Sequence, residues 1–291
     1  MNKEIEPRIF IPGSEWMYFK LYTGTKTAEE ILNNELYDYI KKMIEMDIVD
    51  KWFFIRYSDP DFHIRLRFHL RNKSDFNFIF NQFYLTLFPI VNYGLVWNIQ
   101  CDTYKREIDR YGANTISLVE ELFFIDSEYI IPLLHRLDSE NPEQHRWKLA
   151  LILIDSFLTA FLFDLPQRKE LLNNMAENFK KEFGFIHHNT TKQLNDKYRA
   201  YRKDIENTML WENEVSETID IIKARRQSTF SVAETIIRMN NALVLQVSMS
   251  SLLTSLIHMT MNRWFRANNR LYEMVIYEFL SRYYTSEIAK K

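Results

Sequence analysis

The chain has 291 residues and a formal net charge of −2 at pH 7, with 46% apolar and 15% aromatic residues. This length allows one large domain or two small ones, and the charge excludes the strongly basic character of a protein whose bulk partner is nucleic acid. The single cysteine, Cys101, excludes an internal disulfide and multi-cysteine metal sites. With the charged first residues, it favours a cytoplasmic protein without a secretion signal.

Cofactor and membrane signatures are missing from the sequence. The glycines occupy positions 13, 24, 94, 112 and 184 and are too scattered for a dinucleotide fingerprint or a phosphate-binding loop. The most apolar stretch, residues 149–163, is shorter than the ~20 residues that span a bilayer and contains Asp155. We therefore predict no transmembrane segment, and chemistry by side chains without a metal or another cofactor.

The first third of the chain alternates between strand and helix periodicity. The order β-α-β-β-α-β is the split βαβ pattern, which predicts a four-stranded antiparallel sheet covered by two helices. One apolar stripe runs along the first of these helices. The predicted strands lie near residues 16–22, 52–56, 63–70 and 94–102, and the helices at 27–46 and 75–88.

The remainder of the sequence has helical periodicity. The fold class is therefore α+β, with one domain over residues 1–291 in which 14–104 contain the sheet and 105–291 form a larger helical part. The polar segment 187–227 is expected at the surface. The predicted helices lie near 103–110, 115–123, 127–138, 143–163, 167–182, 190–226, 231–265 and 270–285, the two longest with room for an interruption.

The strand HIRLRFHL separates apolar and basic side chains. With a period of two, its apolar residues face the predicted helices, and the other face carries His63, Arg65, Arg67 and His69. A basic face in water is one interpretation. Because adjacent like charges weaken a sheet, an anion or acidic side chains above this face explain the pattern better.

A second basic pair follows in DTYKREIDRYG. Arg106 and Arg110 are four residues apart, which predicts that both point to one side of a helix after the fourth strand. Asp102 lies within reach of Arg106 in such a helix, and Glu107 within reach of Arg110. Simple surface ion pairs are therefore an equally open interpretation.

The segment SSLLTSLIHMTMNRWF predicts a helix that is apolar nearly all round and therefore buried. His258 and Asn262 share one face of it, with Ser251, Thr254 and Ser255 on or near that face. A lone histidine on an apolar helix is commonly a hydrogen-bonded core residue. A polar stripe with several members can instead line a cavity, so both interpretations stay open.

Five sequence blocks, in order, resemble the signature blocks of the C-terminal domain of lantibiotic dehydratases, which also occurs alone in thiopeptide-type bacteriocin biosynthesis. The blocks are PGSEWMYFKLYTG, DKWFFIRYSDPDFHIRLRF, TYKREIDRYG, ELFFIDSE and SLIHMTMNRWF. The resemblance runs from about Ile11 to Tyr284; Ala113 departs from it where many members have a second glycine. It implies a lyase that eliminates glutamate from glutamylated Ser or Thr and leaves a dehydroamino acid.

The resemblance also implies which residues act. It gives essential roles to Arg65 and Arg67, to Arg106 or Arg110, and to His258, which we assign to proton transfer. Further residues of these blocks are expected to bind the substrate: Arg56, His63, His69, Ser255, Asn262 and Arg263.

The implied partners are a glutamylated precursor peptide and a separate protein that glutamylates it with glutamyl-tRNA. The chain would then be the eliminating half of a split dehydratase, with a cyclase and a second copy of the chain as further candidate partners and no direct contact to nucleic acid.

Two alternatives remain. One is a pyridine-forming cycloaddition enzyme of the same family, whose members tend to lose these arginines and the histidine. The other is a non-catalytic subunit that presents the precursor peptide.

Overall fold

A computed structural model describes residues 6–137, 140–182, 188–212 and 214–290. The chain divides into two compact units. The first consists of Met1–His135 with Met239–Ser248, and the second of Arg136–Arg238 with Met249–Lys291. That residues 1–291 act as one elimination domain stays a prediction.

The first unit contains the predicted four-stranded antiparallel sheet, with strand order β3-β4-β2-β5. The fold class is therefore confirmed. A two-stranded sheet of β1 and β6, which the sequence analysis did not predict, lies beside it. The strands are β1 (Ile9–Phe10), β2 (Trp16–Thr23), β3 (Val49–Ser58), β4 (Phe62–Leu70), β5 (Val96–Asp102) and β6 (Tyr104–Lys105).

Helices cover one face of this sheet. Phe68 of β4 is fully buried, and its ring contacts those of Tyr39 and Phe83, which belong to two different helices. The predicted helix 27–46 contains a π-helical segment, Leu32–Leu36, between α1 and α2. The helices of this unit are α1 (Thr25–Ile31), α2 (Tyr37–Glu45), α3 (Phe76–Asn92), α4 (Ile108–Tyr111) and α5 (Ile116–Leu134).

The helical part follows, and its core includes the apolar stretch of α6. Leu149, Leu151 and Leu153 are all fully buried, and α6 packs against α8, α10 and α11. None of the described helices has the length and apolar character needed to cross a bilayer. The helices are α6 (Pro142–Ala160), α7 (Leu165–Glu182), α8 (His188–Met209), α9 (Ser216–Asn241), α10 (Met249–Trp264) and α11 (Asn269–Ala289).

Several predicted helix boundaries were wrong. The helix predicted at 103–110 is strand β6 followed by the short α4, because residues 104–105 pair with β1. The helices predicted at 115–123 and 127–138 form the single helix α5. The two longest predicted helices are interrupted, as the sequence analysis allowed, but α9 runs through the predicted break between 226 and 231. The predicted surface segment 187–227 turns an apolar stripe inward with Leu194, Tyr198 and Ile205; residues 187 and 213 lie outside the described ranges.

Candidate functional site

Arg67 is a buried cation on β4. The strand register places Tyr18 of β2 and Phe53 of β3 directly beside it. Its Cζ lies 4.4 Å, 5.2 Å and 4.9 Å from the ring centroids of Tyr18, Phe53 and Tyr104. Arg67 is 8% exposed, and within the described ranges its Nε has no hydrogen-bond partner and its guanidinium no carboxylate partner. Burial lowers the pKa of Arg67, so an anion that entered would stabilise its charge.

Arg65 lies on the same face and is held by an aromatic ring and a histidine. Its guanidinium stacks on Tyr57, with Cζ 3.4 Å from the ring centroid, and its Nε donates to Nε2 of His63 at 3.1 Å. Since Nε2 of His63 accepts, its Nδ1 carries the proton and donates to the carbonyl of Asp61 at 2.9 Å. Burial lowers the pKa of His63, which favours the neutral ring that orients Arg65.

The lowered pKa of His63 predicts an acid-sensitive fold. An unfolded histidine has a pKa of about 6.5, so the unfolded chain binds more protons in acid than the folded one. Neutral His63 therefore contributes its full stabilisation above about pH 6.5. This stabilisation is lost as the pH falls toward the lowered pKa of His63 in the folded chain. We expect His63→Gln to flatten the decline in the free energy of unfolding below about pH 6.5. Urea unfolding at several pH values measures this, with exposed His135→Gln as the control; equal slopes for both variants would contradict the prediction.

Two other residues expected to bind substrate have acidic partners. His69 lies on the same face as Arg67, but its Nδ1 is 2.6 Å from Asp50 Oδ1. Arg56 pairs with Ile64 in the register and therefore faces the helices, where its guanidinium lies 3.3 Å from Glu29. The structure thus places Arg56 on the face opposite Arg65 and Arg67.

Arg106 and Arg110 do not share a helix face, which corrects the sequence analysis. Arg106 precedes α4 and forms two bonds with Glu120, from Nε at 2.7 Å and from Nη2 at 2.6 Å. Arg110 is exposed and pairs with Glu107 at 3.1 Å. Asp102, proposed as a partner of Arg106, instead pairs with Lys20 at 2.6 Å.

Arg106 supports the ring beneath Arg67. Tyr104, whose ring contacts Arg67, donates its hydroxyl to Oε1 of Glu120 at 2.8 Å, and the same oxygen accepts from Arg106. Burial alone would lower the pKa of Arg106, but its bonds to Glu120 raise it. Arg106 therefore has its carboxylate partner already, whereas Arg67 has none in the described part of the chain. That both line one cavity with Arg65 stays a prediction.

This ion pair gives a stability prediction. Glu120 is 1% exposed, so Arg106→Met would leave a buried carboxylate without its cation. We expect the free energy of unfolding to fall by about 3 to 5 kcal/mol. Urea unfolding of Arg106→Met, with Arg110→Met as the control at an exposed pair, measures the difference. Similar values for the two variants would show that the buried pair does not stabilise the fold.

In the second unit, α10 has one accessible polar stripe. Its apolar residues from Leu252 onward are buried, while the partly or fully exposed positions include Ser251, Thr254, Ser255, His258 and Asn262. The stripe predicted from the sequence is thus the accessible face of the helix. Arg263 lies off this stripe and is fully buried, with Nη1 donating to the carbonyl of Met259 at 3.1 Å.

His258 is held by a carboxylate that the sequence analysis missed. Its Nδ1 lies 2.8 Å from Oε2 of Glu273 on α11, and the Tyr277 hydroxyl donates to the same oxygen at 2.9 Å. Glu273 is fully buried, and burial raises the pKa of Tyr277, with Glu273 adding to the effect. The sequence held one indication of this role: Glu273 lies in an apolar stretch of α11, one turn before Tyr277. Among the described residues Nε2 of His258 has no hydrogen-bond partner, so it is left for a ligand.

Comparison with known proteins identifies the family. Residues 16–284 match the family described as lantibiotic biosynthesis dehydratase C-term. Nisin biosynthesis protein NisB of Lactococcus lactis subsp. lactis is 27% identical over 97% of this chain and 27% of its own length. Subtilin biosynthesis protein SpaB of Bacillus subtilis is 27% identical over 68% of this chain and 18% of its own length. The chain therefore spans about a quarter or less of these relatives.

Solved structures share the fold. The tRNA-dependent lantibiotic dehydratase MibB from Microbispora sp. 107891 superposes with a TM-score of 0.71 at 20% identity, over 96% of this chain and 29% of that chain. TbtD, a pyridine synthase from thiomuracin biosynthesis, has a TM-score of 0.63 at 11% identity, over 94% of this chain and 100% of that chain. The family match over most of the residues shows that the chain belongs to the lantibiotic biosynthesis dehydratase C-terminal family.

Proposed function

We propose that the chain catalyses β-elimination of glutamate from glutamylated Ser or Thr residues of a ribosomally made precursor peptide in lanthipeptide or thiopeptide biosynthesis. The observation that carries this proposal is Arg67, a buried guanidinium without a carboxylate partner in the described residues. A desolvated guanidinium held by three rings is prepared for a carboxylate ligand such as the glutamyl group. Membership of the dehydratase family supports the same reaction.

The reaction develops negative charge in two places. A base removes the proton from Cα, the double bond forms between Cα and Cβ, and the Cβ–O bond breaks so that glutamate leaves with the electron pair. Charge therefore appears on the enolate oxygen and on the departing carboxylate. Fixed guanidinium groups stabilise such charge without reorganising, and we assign this role to Arg67 and Arg65. Arg106 holds Tyr104 in place beneath Arg67.

We assign proton transfer to His258. With Nδ1 directed at the buried Glu273, the neutral ring has its proton on Nδ1 and a free electron pair on Nε2. That electron pair can accept the Cα proton, and Glu273 then stabilises the imidazolium that forms. Glu273 is in this scheme a positioning residue, since it acts through His258. We assign peptide contacts to Ser255 and Asn262, which lie one turn to either side of His258 on the same stripe.

Glu273→Gln tests the positioning role. The amide cannot stabilise imidazolium as a carboxylate does, and hydrogen bonds to charged groups are worth about 1.5 to 3 kcal/mol, so we expect about 10- to 100-fold slower elimination. Nitrogen-15 NMR of the imidazole should show Nδ1–H in the wild type and a loss of this tautomer in Glu273→Gln. Tyr277→Phe keeps the carboxylate, so a smaller loss is expected. An unchanged rate and tautomer in Glu273→Gln would remove Glu273 from the mechanism.

The function is tested by mass spectrometry of a glutamylated precursor peptide incubated with the purified chain. We expect loss of glutamate and the appearance of dehydroalanine or dehydrobutyrine. The glutamylated peptide would come from a glutamyl-tRNA-dependent partner protein, and we place both steps in the cytoplasm. An intact glutamylated peptide that still binds the chain would support the presenting subunit instead.

Pyridine formation is the second candidate, because the pyridine synthase TbtD shares the fold. A peptide that already contains dehydroalanines tests this alternative. Conversion to a pyridine ring, without elimination from the glutamylated peptide, would favour cycloaddition.

A further inference from the structure

A groove lies between helix α3 and strand β5 of the first unit. It encloses a cavity of about 450 Å³. Its floor includes Phe19 of β2, and its walls are mainly aromatic. Phe88 of α3 is 52% exposed and Trp97 of β5 is 57% exposed, so large apolar side chains face the solvent here. Large contiguous patches of exposed apolar side chains are rare on soluble proteins, and they commonly mark a binding site.

The groove is uncharged. None of the residues that line it is charged, and the whole of α3, with the sequence FNFIFNQFYLTLFPIVN, contains no Asp, Glu, Lys or Arg. A charged ligand would lose its hydration in this groove without gaining an ion pair. The complementary occupant is therefore an uncharged, apolar one.

The strand that borders the groove has an open edge. β5 is the last strand in the order β3-β4-β2-β5, and in the described part of the chain no strand pairs with its outer side. Asn98, Gln100 and Cys101 are exposed along it. Natural edge strands are commonly protected by lysine or proline. The sequence of β5, VWNIQCD, contains neither, so neither residue type blocks pairing along its outer side; its register with β2 shifts between Tyr22 and Thr23, next to Trp97.

We propose that this groove binds an extended, uncharged segment of the precursor peptide, which pairs with β5 as a fifth strand. In such strand addition the main-chain hydrogen bonds hold the peptide, and alternate side chains enter the adjacent pocket. A concave groove between a strand and a helix fits one strand better than the edge of a second copy. The identity of the peptide rests on the proposed function, whereas binding to the groove does not.

Binding to the groove is tested with a peptide of alternating valine and serine, which is fluorescein-labelled, acetylated and amidated and is added to the purified chain. Phe88→Glu places a charge in the groove. Leu85→Glu, on the same helix and 55% exposed in the wild type, lies outside the lining. By fluorescence anisotropy we expect Phe88→Glu to weaken binding by at least about tenfold and Leu85→Glu to leave it within about twofold. Equal effects of the two variants would overturn the proposal.

Strand pairing is tested with the same peptide methylated on alternate backbone nitrogens. In one methylated peptide the methyl groups replace the N–H donors that face β5, and this peptide should not bind. In the other peptide the methyl groups point away from β5, and binding should be unchanged. Hydrogen exchange of residues 96–102 should slow when the unmodified peptide is bound. Unchanged exchange, or a dimer that Phe88→Glu dissociates without any peptide binding, would overturn the proposal. Peptide binding without elimination of glutamate would refute the proposed reaction alone.

Discussion

We expect His258→Ala to slow elimination of glutamate by about 10²- to 10⁴-fold without unfolding the protein. The side chain of His258 is 24% exposed, so its removal opens no large internal cavity. The variant does lose the ring that bonds Glu273, and the buried carboxylate then loses a partner. We therefore expect a loss of about 1 to 3 kcal/mol in the free energy of unfolding, which leaves a folded protein to assay. The glutamylated peptide should accumulate, because its synthesis does not involve His258.

The assay compares wild type, His258→Ala and Thr254→Ala on one glutamylated peptide. Mass spectrometry follows the loss of glutamate with time, and circular dichroism checks the fold. Thr254 lies one turn earlier on the same accessible stripe, so it controls for a change of this surface. If folded His258→Ala eliminated glutamate at the wild-type rate, His258 would be a structural residue. His63 and His69 would then be the candidates for proton transfer.

Strand periodicity predicted the part of the site that lies on β4. A period of two places alternate side chains on opposite faces whatever the neighbouring strands are, so Arg65 and Arg67 had to share a face. Burial of Phe68 on the other face confirms that orientation. The polar stripe of α10 was predictable in the same way, since helical periodicity places His258 and Asn262 on one face of an otherwise largely apolar helix.

Contacts between distant segments were not predictable from periodicity. The spacing of Arg106 and Arg110 implies a shared face only inside a helix, and strand β6 precedes that helix because it pairs with β1. The Arg106 N–H donates to the carbonyl of Arg8 at 2.9 Å, which fixes this non-helical start. Glu273 was missed because its role depends on how α10 and α11 pack. Similarly, the rings around Arg67 come from three separate strands.

We expect Arg67→Met to abolish most activity while leaving the fold as stable as the wild type, or more so. The loss of one preorganised donor slows such reactions by about 10²- to 10³-fold. Arg67→Met removes cation–π contacts that stabilise the fold by about 0.5 to 2 kcal/mol each. It also removes the cost of burying an unpaired guanidinium, which is several kcal/mol. The two changes oppose each other, so the free energy of unfolding should stay within about 1 kcal/mol of the wild-type value or rise above it.

This outcome differs from that of Arg106→Met, in which a buried carboxylate loses its partner. Elimination rates and urea unfolding of both variants, with Arg67→Lys as a third, separate the two roles. Lysine keeps the charge at position 67 but not the planar fork of donors, so Arg67→Lys should fall between wild type and Arg67→Met in rate. A loss of about 3 to 5 kcal/mol in Arg67→Met would mean that Arg67, like Arg106, stabilises the fold through a buried partner. A folded Arg67→Met with a normal rate would instead remove the carboxylate-binding role and, with it, the observation on which the proposed reaction rests.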